Sequence, residues 1–196
     1  MFSLMYETPV QWVHDMEAQG TLELLVDHAH CELKAAATMQ ALVAKNPTCD
    51  LIVQTLPRFA MEELEHFEMV EALLRKRGGK LTEQDSNPYA DGLHRGSRYK
   101  RTSLLLDKLI IGHLIEARSA ERFYLLSEHL QDRDLAEFFK SLIPSESAHR
   151  IMFLRLAEDQ FSVPEVEKRT AELRQIEADL ISKLPFSSRV HSGPKI

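Results

Sequence analysis

Apolar residues recur three and four positions apart along most of the chain, the spacing that buries one face of an α-helix. Four long segments carry this pattern. Helix A is expected from Thr21 to about Asn46, on a stripe of Leu22, Leu25, Ala29, Glu32, Ala36, Met39 and Val43, and Asn46-Pro47 stops it. Helix B is expected from about Thr48 to Arg77, on Leu56, Phe59, Glu63, His66, Val70 and Leu73, with Gly78-Gly79 closing it. Helix C is expected from about Thr102 to Leu130 on Leu105, Leu109, Gly112, Glu116, Ala120 or Ser119, Phe123 and Leu126. Helix D runs from about Asp132 to Gln160 on Phe139, Leu142, Glu146, His149, Phe153 and Leu156. Pro57 and Pro144 lie inside B and D and should kink or restart them.

Shorter elements flank these four. A helix is expected over 8–18, opened by Pro9, and a fifth long one from Pro164 to about Leu184. Residues 79–101 show no helical period and read as a long irregular connection between B and C. Residues 185–196, with Ser, Gly and Pro, read as a flexible tail. The chain is expected to form one all-α domain over 1–196, its core bundle over about 20–160 and an extra helix over 164–184.

Each stripe is interrupted where an apolar residue belongs. The interruptions are Glu32 in A, Glu63 and His66 in B, Glu116 in C, and Glu146 and His149 in D. Taken singly these mean little: with 20 Glu and 9 His in 196 residues, chance alone supplies about one Glu-x-x-His. Any one such Glu would ordinarily be a solvated surface residue. Four carboxylates turned into one core are another matter, because each costs several kcal/mol to bury unpaired and they repel one another. Four carboxylates and two neutral imidazoles carry −4, the charge that two divalent cations cancel. Oxygen-rich ligation with two imidazoles suits iron or manganese. A lone Glu from each of two helices and Glu-x-x-His from the other two is the di-metal pattern of the ferritin-like four-helix bundle, in which a long crossover joins the two halves. The Glu-to-Glu spacing is 31 residues in one half and 30 in the other. Glu121 competes with Glu116 for the helix C position, and Glu116 is preferred because it falls on the Leu105–Leu126 stripe. His28 and His113, one turn before Glu32 and Glu116, read as supporting partners of the ligands or as satisfied core histidines.

Charge changes the picture at one place. The net charge is −6, yet Arg75 to Arg101 holds eight Lys/Arg (Arg75, Lys76, Arg77, Lys80, Arg95, Arg98, Lys100, Arg101) against Glu83, Asp85 and Asp91. That segment is +5, and the remainder is −11. Bases at a helix C-terminus account for Arg75 to Arg77. They do not account for HRGSRYKR, whose interleaved Tyr99 suits contact with a phosphate backbone and stacking on a base. Two cysteines, Cys31 and Cys49, without a CxxC, fit a reducing compartment and exclude a rubredoxin-type iron module. No apolar run is long enough to span a membrane, and no basic-then-apolar leader opens the chain, so a cytoplasmic protein is expected.

The stretches DHAHCELKAA (27–36), EELEHFEMVEALLRKRG (62–78), LIEARSAERF (114–123) and SESAH (145–149) resemble the MiaE-type bacterial tRNA hydroxylases that act on 2-methylthio-N6-isopentenyladenosine. The resemblance spans roughly residues 8–160. It implies a ferritin-like non-haem di-iron monooxygenase whose two iron ions are held by Glu32, Glu63, His66, Glu116, Glu146 and His149. It also implies O2 as co-substrate, an external reductase, and hydroxylation of the isopentenyl group at position 37 of tRNA. The anticodon stem-loop would then lie against Arg75, Arg77, Lys80, Arg95, Arg98, Lys100 and Arg101. The oligomeric state stays open, a monomer included. Two alternatives stand beside this reading: a ferritin- or rubrerythrin-like protein that oxidises iron or removes peroxide, and a metal-free helical interaction module.

Overall fold

The computed structural model describes residue 2, residues 4–98 and residues 101–195, with backbone alone at 101 and 102. Among the described residues there are seven helices and no strand. The chain divides into two compact units, one of Met1–Ala18, Ser86–Ser187 and His191–Ile196, the other of Gln19–Asp85 and Ser188–Val190.

The smaller unit is a helical hairpin of α2 (Thr21–Lys45) and α3 (Asp50–Lys76). The turn between them is tied by Asn46, whose side-chain amide donates to the Leu42 carbonyl at 2.8 Å. At the far end of α3, Gly78 takes φ +79, which a residue with a Cβ rarely adopts, and the Gly78 and Gly79 amides donate to the Arg75 and Leu74 carbonyls. The buried face of α2 is wider than the expected stripe: Leu24, Leu25, Val26, Asp27 and His28 are all inside, Leu42 replaces Val43, and Leu22 is 41% exposed. Pro57 does not break α3, and Pro144 does not break its counterpart in the other unit. Both prolines are exposed or half-buried at the helix surface, as are Val53 and Lys140, the residues four back whose carbonyls lose a helical partner; water can satisfy those groups.

The larger unit is built on α5 (Arg101–His129), packed against α6 (Arg133–Gln160), α7 (Val163–Ile181) and a short α4 (Pro88–Arg95). A further short helix, α1 (Gln11–Gln19), buries Trp12, Val13 and Met16. From Ala117 through Phe123 every residue of α5 is buried. A Cβ on Gly112 would lie 2.9 Å from the Phe153 ring, so the glycine lets α5 and α6 approach. Arg118 is buried with its guanidinium engaged on every nitrogen: by Glu177 from Nε and Nη2, by Glu121 and Thr8 from Nη1, and by the Tyr6 carbonyl from Nη2.

Two expectations fail here. The 79–101 connection contains α4, started by the Asn87 side chain accepting from the Tyr89 and Ala90 amides, with Pro88 in its first turn and Tyr89 and Leu93 buried. The tail is not loose at 188–193. The Val190 amide donates to Asp27 at 2.8 Å, the Trp12 indole donates to Ser192 Oγ at 3.0 Å, and Arg122 donates to the Ser192 carbonyl at 2.9 Å. Long-range polar partners hold a segment whose composition suggests fraying.

Candidate metal centre

In the hairpin unit, α2 supplies His28 and Glu32 and α3 supplies Glu63 and His66, all buried. Glu32, Glu63 and His66 offer ligand atoms within 4.8 Å of one another. His66 Nδ1 lies 3.8 Å from Glu32 Oε2 and 3.6 Å from Glu63 Oε2. Donors that share one ion at about 2.0–2.2 Å can be at most about 4.4 Å apart. Both separations fall inside that limit, and both exceed a direct hydrogen bond.

His28 sits one turn before Glu32, with Nε2 2.5 Å from Glu32 Oε1. Burial, then the neighbouring His66, push the His28 pKa down to about 3, against the pull of Glu63. The imidazole is therefore neutral near pH 7. Since a carboxylate only accepts, Nε2 carries the proton and donates to Glu32. Cys31, next to Glu32, points elsewhere, its Sγ 3.8 Å from Asp27 Oδ2. His30 bonds to the Thr82 carbonyl at 2.7 Å, a structural contact.

In the larger unit, α5 supplies Glu116 and α6 supplies Glu146 and His149, again all buried. Glu116 and His149 offer ligand atoms within 4.8 Å of one another. Glu121 is otherwise committed: it accepts from the Thr8 amide at 2.8 Å, from the Thr8 hydroxyl at 2.7 Å and from Arg118. His113 keeps to a packing role, its Nδ1 2.9 Å from the Arg150 carbonyl; burial lowers its pKa, and that bond opposes the shift.

The candidate donors are thus two buried carboxylates and one buried imidazole in each unit, Glu32, Glu63 and His66 in one and Glu116, Glu146 and His149 in the other, a charge of −2 per set. One divalent cation per unit balances that charge, and the O,O,N donor chemistry fits iron or manganese. The residues present fit a metal site.

The chain matches a model of MiaE, tRNA-(MS[2]IO[6]A)-hydroxylase, over residues 2–192. The chain belongs to the MiaE family. It is 37% identical over 186 residues to the tRNA 2-(methylsulfanyl)-N(6)-isopentenyladenosine(37) hydroxylase of Pseudomonas putida, an alignment covering 95% of this chain and 90% of the relative. It is 32% identical over 234 aligned positions to the hydroxylase of the same name from Salmonella typhimurium, covering 95% and 86%. Among solved structures it is similar to a Synechococcus protein with aldehyde deformylating oxygenase activity, with TM-score 0.92, 33% identity and coverage of 97% and 96%. The fold class is therefore the all-α, ferritin-like four-helix bundle expected from the helical pattern, and this MiaE-family chain is a tRNA-modifying hydroxylase. None of these matches favours iron storage or peroxide removal. No described helix is long and apolar enough to cross a membrane.

The basic residues are less uniform than their sequence grouping suggests. Arg75 is exposed and paired with Glu71, and Lys80 is exposed, both in the hairpin unit, as is the half-buried Arg77. Arg95 is exposed at the end of α4. Arg98 is committed to Asp107 of α5, donating from its amide at 2.6 Å, from Nε at 3.1 Å and from Nη2 at 2.8 Å. Lys100 and the Arg101 side chain lie outside the described residues. Charge alone could not distinguish Arg98 from its neighbours, because Asp107 lies nine residues away on the following helix.

Proposed function

We propose that Glu32, Glu63 and His66 together with Glu116, Glu146 and His149 hold two iron ions. The reaction is hydroxylation of the isopentenyl group of 2-methylthio-N6-isopentenyladenosine at position 37 of tRNA. One C–H bond, one O2, two electrons from a reductase and two protons are consumed, and one C–OH group and one water are formed. Bound iron would supply the O2 activation that insertion into the C–H bond requires.

The protein's own residues do the rest. The carboxylates and imidazoles fix the ions and cancel their charge. Their burial keeps bulk water from the oxidising centre. Arg75, Arg77, Lys80 and Arg95, with Lys100 and Arg101, attract the phosphates of the anticodon stem-loop and hold its register. Arg98 contributes through the stability of the segment that carries Arg95.

One observation carries this reading: both helix pairs of a tRNA hydroxylase bury two carboxylates and an imidazole where packing alone calls for apolar side chains. The test is anaerobic reconstitution with ferrous iron, then incubation with tRNA bearing the isopentenyl nucleoside, a chemical or enzymatic reductant and 18O2. The expected result is two irons per chain and one 18O atom in the nucleoside. Full iron loading with an unchanged nucleoside would remove the substrate assignment; less than about one iron per chain would remove the metal assignment.

A further inference from the structure

Glu32 has two carboxylate oxygens in different surroundings. Oε1 is 2.5 Å from His28 Nε2, while Oε2 is turned to His66 Nδ1 at 3.8 Å. His28 is fully buried and stands four residues before Glu32, on the same face of α2. A glutamate side chain on a helix has several rotatable bonds, and an unanchored carboxylate would have to be ordered when a metal arrives. The buried imidazole does that ordering in advance.

We infer that His28 is a positioning residue that pins Glu32 Oε1, so that Glu32 offers the metal one oxygen, Oε2, in a preset direction. The inference rests on Glu32 being a ligand. His28 is not itself a member of the donor group formed by Glu32, Glu63 and His66. It acts on the metal through Glu32, by a hydrogen bond of the kind that orients metal ligands from outside the coordination shell.

Three variants test it: His28→Gln, His28→Asn and Glu32→Ala. A glutamine amide can reach Glu32 from one turn away; asparagine, one carbon shorter, cannot. Both are polar; glutamine is close to histidine in size, and asparagine is smaller. The measurements are anaerobic ferrous titration for the affinity of each ion, Mössbauer spectra of the loaded protein, and circular dichroism with thermal unfolding of the metal-free protein. In H28N one of the two irons should bind about 10- to 100-fold more weakly, with an altered quadrupole splitting for that ion alone. In H28Q both should return toward wild type. Metal-free H28Q should unfold like the wild type; the hole left in H28N lowers its unfolding temperature, a packing effect that would not by itself move the spectrum of one ion. Wild-type affinity and spectrum in H28N overturn the inference, as does equal weakening in H28Q and H28N. Glu32→Ala separates the two levels. If it binds both irons normally, the ligand reading of Glu32 fails and takes the inference with it. If it loses an iron while H28N does not, only the role of His28 fails.

Discussion

Arg118 and Glu177, fifty-nine residues apart, meet in a two-point ion pair inside the protein, Nε to Oε1 at 2.9 Å and Nη2 to Oε2 at 3.1 Å, with both side chains fully buried. The Tyr89 hydroxyl donates to the same carboxylate at 2.9 Å. The pair ties α7 and α4 to α5 near the middle of the helix that carries Glu116. Its members cannot be removed singly without leaving a charge in a place water does not reach. Arg118→Met should therefore cost about 3–5 kcal/mol of stability, read as a lower urea midpoint at unchanged slope. A loss under about 1 kcal/mol would mean that Glu177 and Glu121 find other partners or take up protons.

The proposed metal ligands should behave in the opposite sense. Glu63 is an ionisable group buried beside Glu32, His66 and His28. Glu63→Gln removes a buried charge and should raise the stability of the metal-free protein by about 0.5–2 kcal/mol, while lowering iron loading. Adding ferrous iron should raise the melting temperature of the wild type and scarcely move that of the variant. Glu146→Ala or His149→Ala should abolish loading of at least one ion and all hydroxylation. An E63Q protein that is less stable without metal would show that Glu63 is held by hydrogen bonds strong enough to offset its desolvation.

The burial of the six proposed donors was legible because a charged residue in an apolar helical stripe is anomalous, and the anomaly repeats in four stripes. Helix ends were legible where caps and glycines mark them, as at Asn46 and Gly78. Arg118 and Arg122 were not legible, because isolated arginines are rarely buried. Their burial depends on Glu177, Glu121, Trp12 and the Ser192 carbonyl, all supplied by tertiary structure. The helix α4 did carry a local mark, Asn87-Pro88 followed by Tyr89 and Leu93 one turn apart. Eight residues are simply too few for a periodicity to stand out against Gly and Asp.

Asp107 sets the acid limit of the α4–α5 junction. Burial raises its pKa, but the bonds from Arg169 and Arg98 outweigh burial and hold the carboxyl below its usual range. A depressed carboxylate contributes stability that is complete above its unfolded pKa, about 3.9, and is lost as pH falls through the folded value. Wild-type stability should therefore fall as the pH drops below about 4. Asp107→Asn should be less stable at pH 7, by about 3 kcal/mol, and should show a shallower acid slope. Parallel pH profiles for the two proteins would exclude this linkage.

The basic side chains can be separated by what already holds them. Replacing Arg75, Lys80 and Arg95 by alanine should weaken tRNA binding with iron retained. The slope of log K against log salt should fall by about 0.7–0.9 for each phosphate that is no longer neutralised. Arg98→Ala should instead act mainly on stability, because its guanidinium is spent on Asp107. An R98A protein of normal stability with a reduced salt slope would return Arg98 to the tRNA surface.

The C-terminal segment has its own reporter. Trp12 is the only tryptophan; its indole N–H bonds to Ser192, and the Arg122 guanidinium lies 4.0 Å from its ring centroid. Gly193 follows directly, and a Cβ built there would lie 1.7 Å from the Leu184 carbonyl oxygen, a backbone atom that cannot swing aside as a side chain can. The Gly193 amide also donates to the Pro185 carbonyl at 3.2 Å. Gly193→Ala must therefore lift the chain away from residues 184–185, and the neighbouring Ser192 should leave the indole with it. Trp12 emission should move to longer wavelength as water reaches the ring, and Arg122 should lose the carbonyl that satisfies Nη2. A deletion ending the chain after Ser187 should give the same red shift and a larger loss of stability, because it also strips the Val190 amide from the buried Asp27. Unchanged Trp12 emission in both proteins would mean that the indole stays buried without the segment, and that 188–193 covers a core already closed.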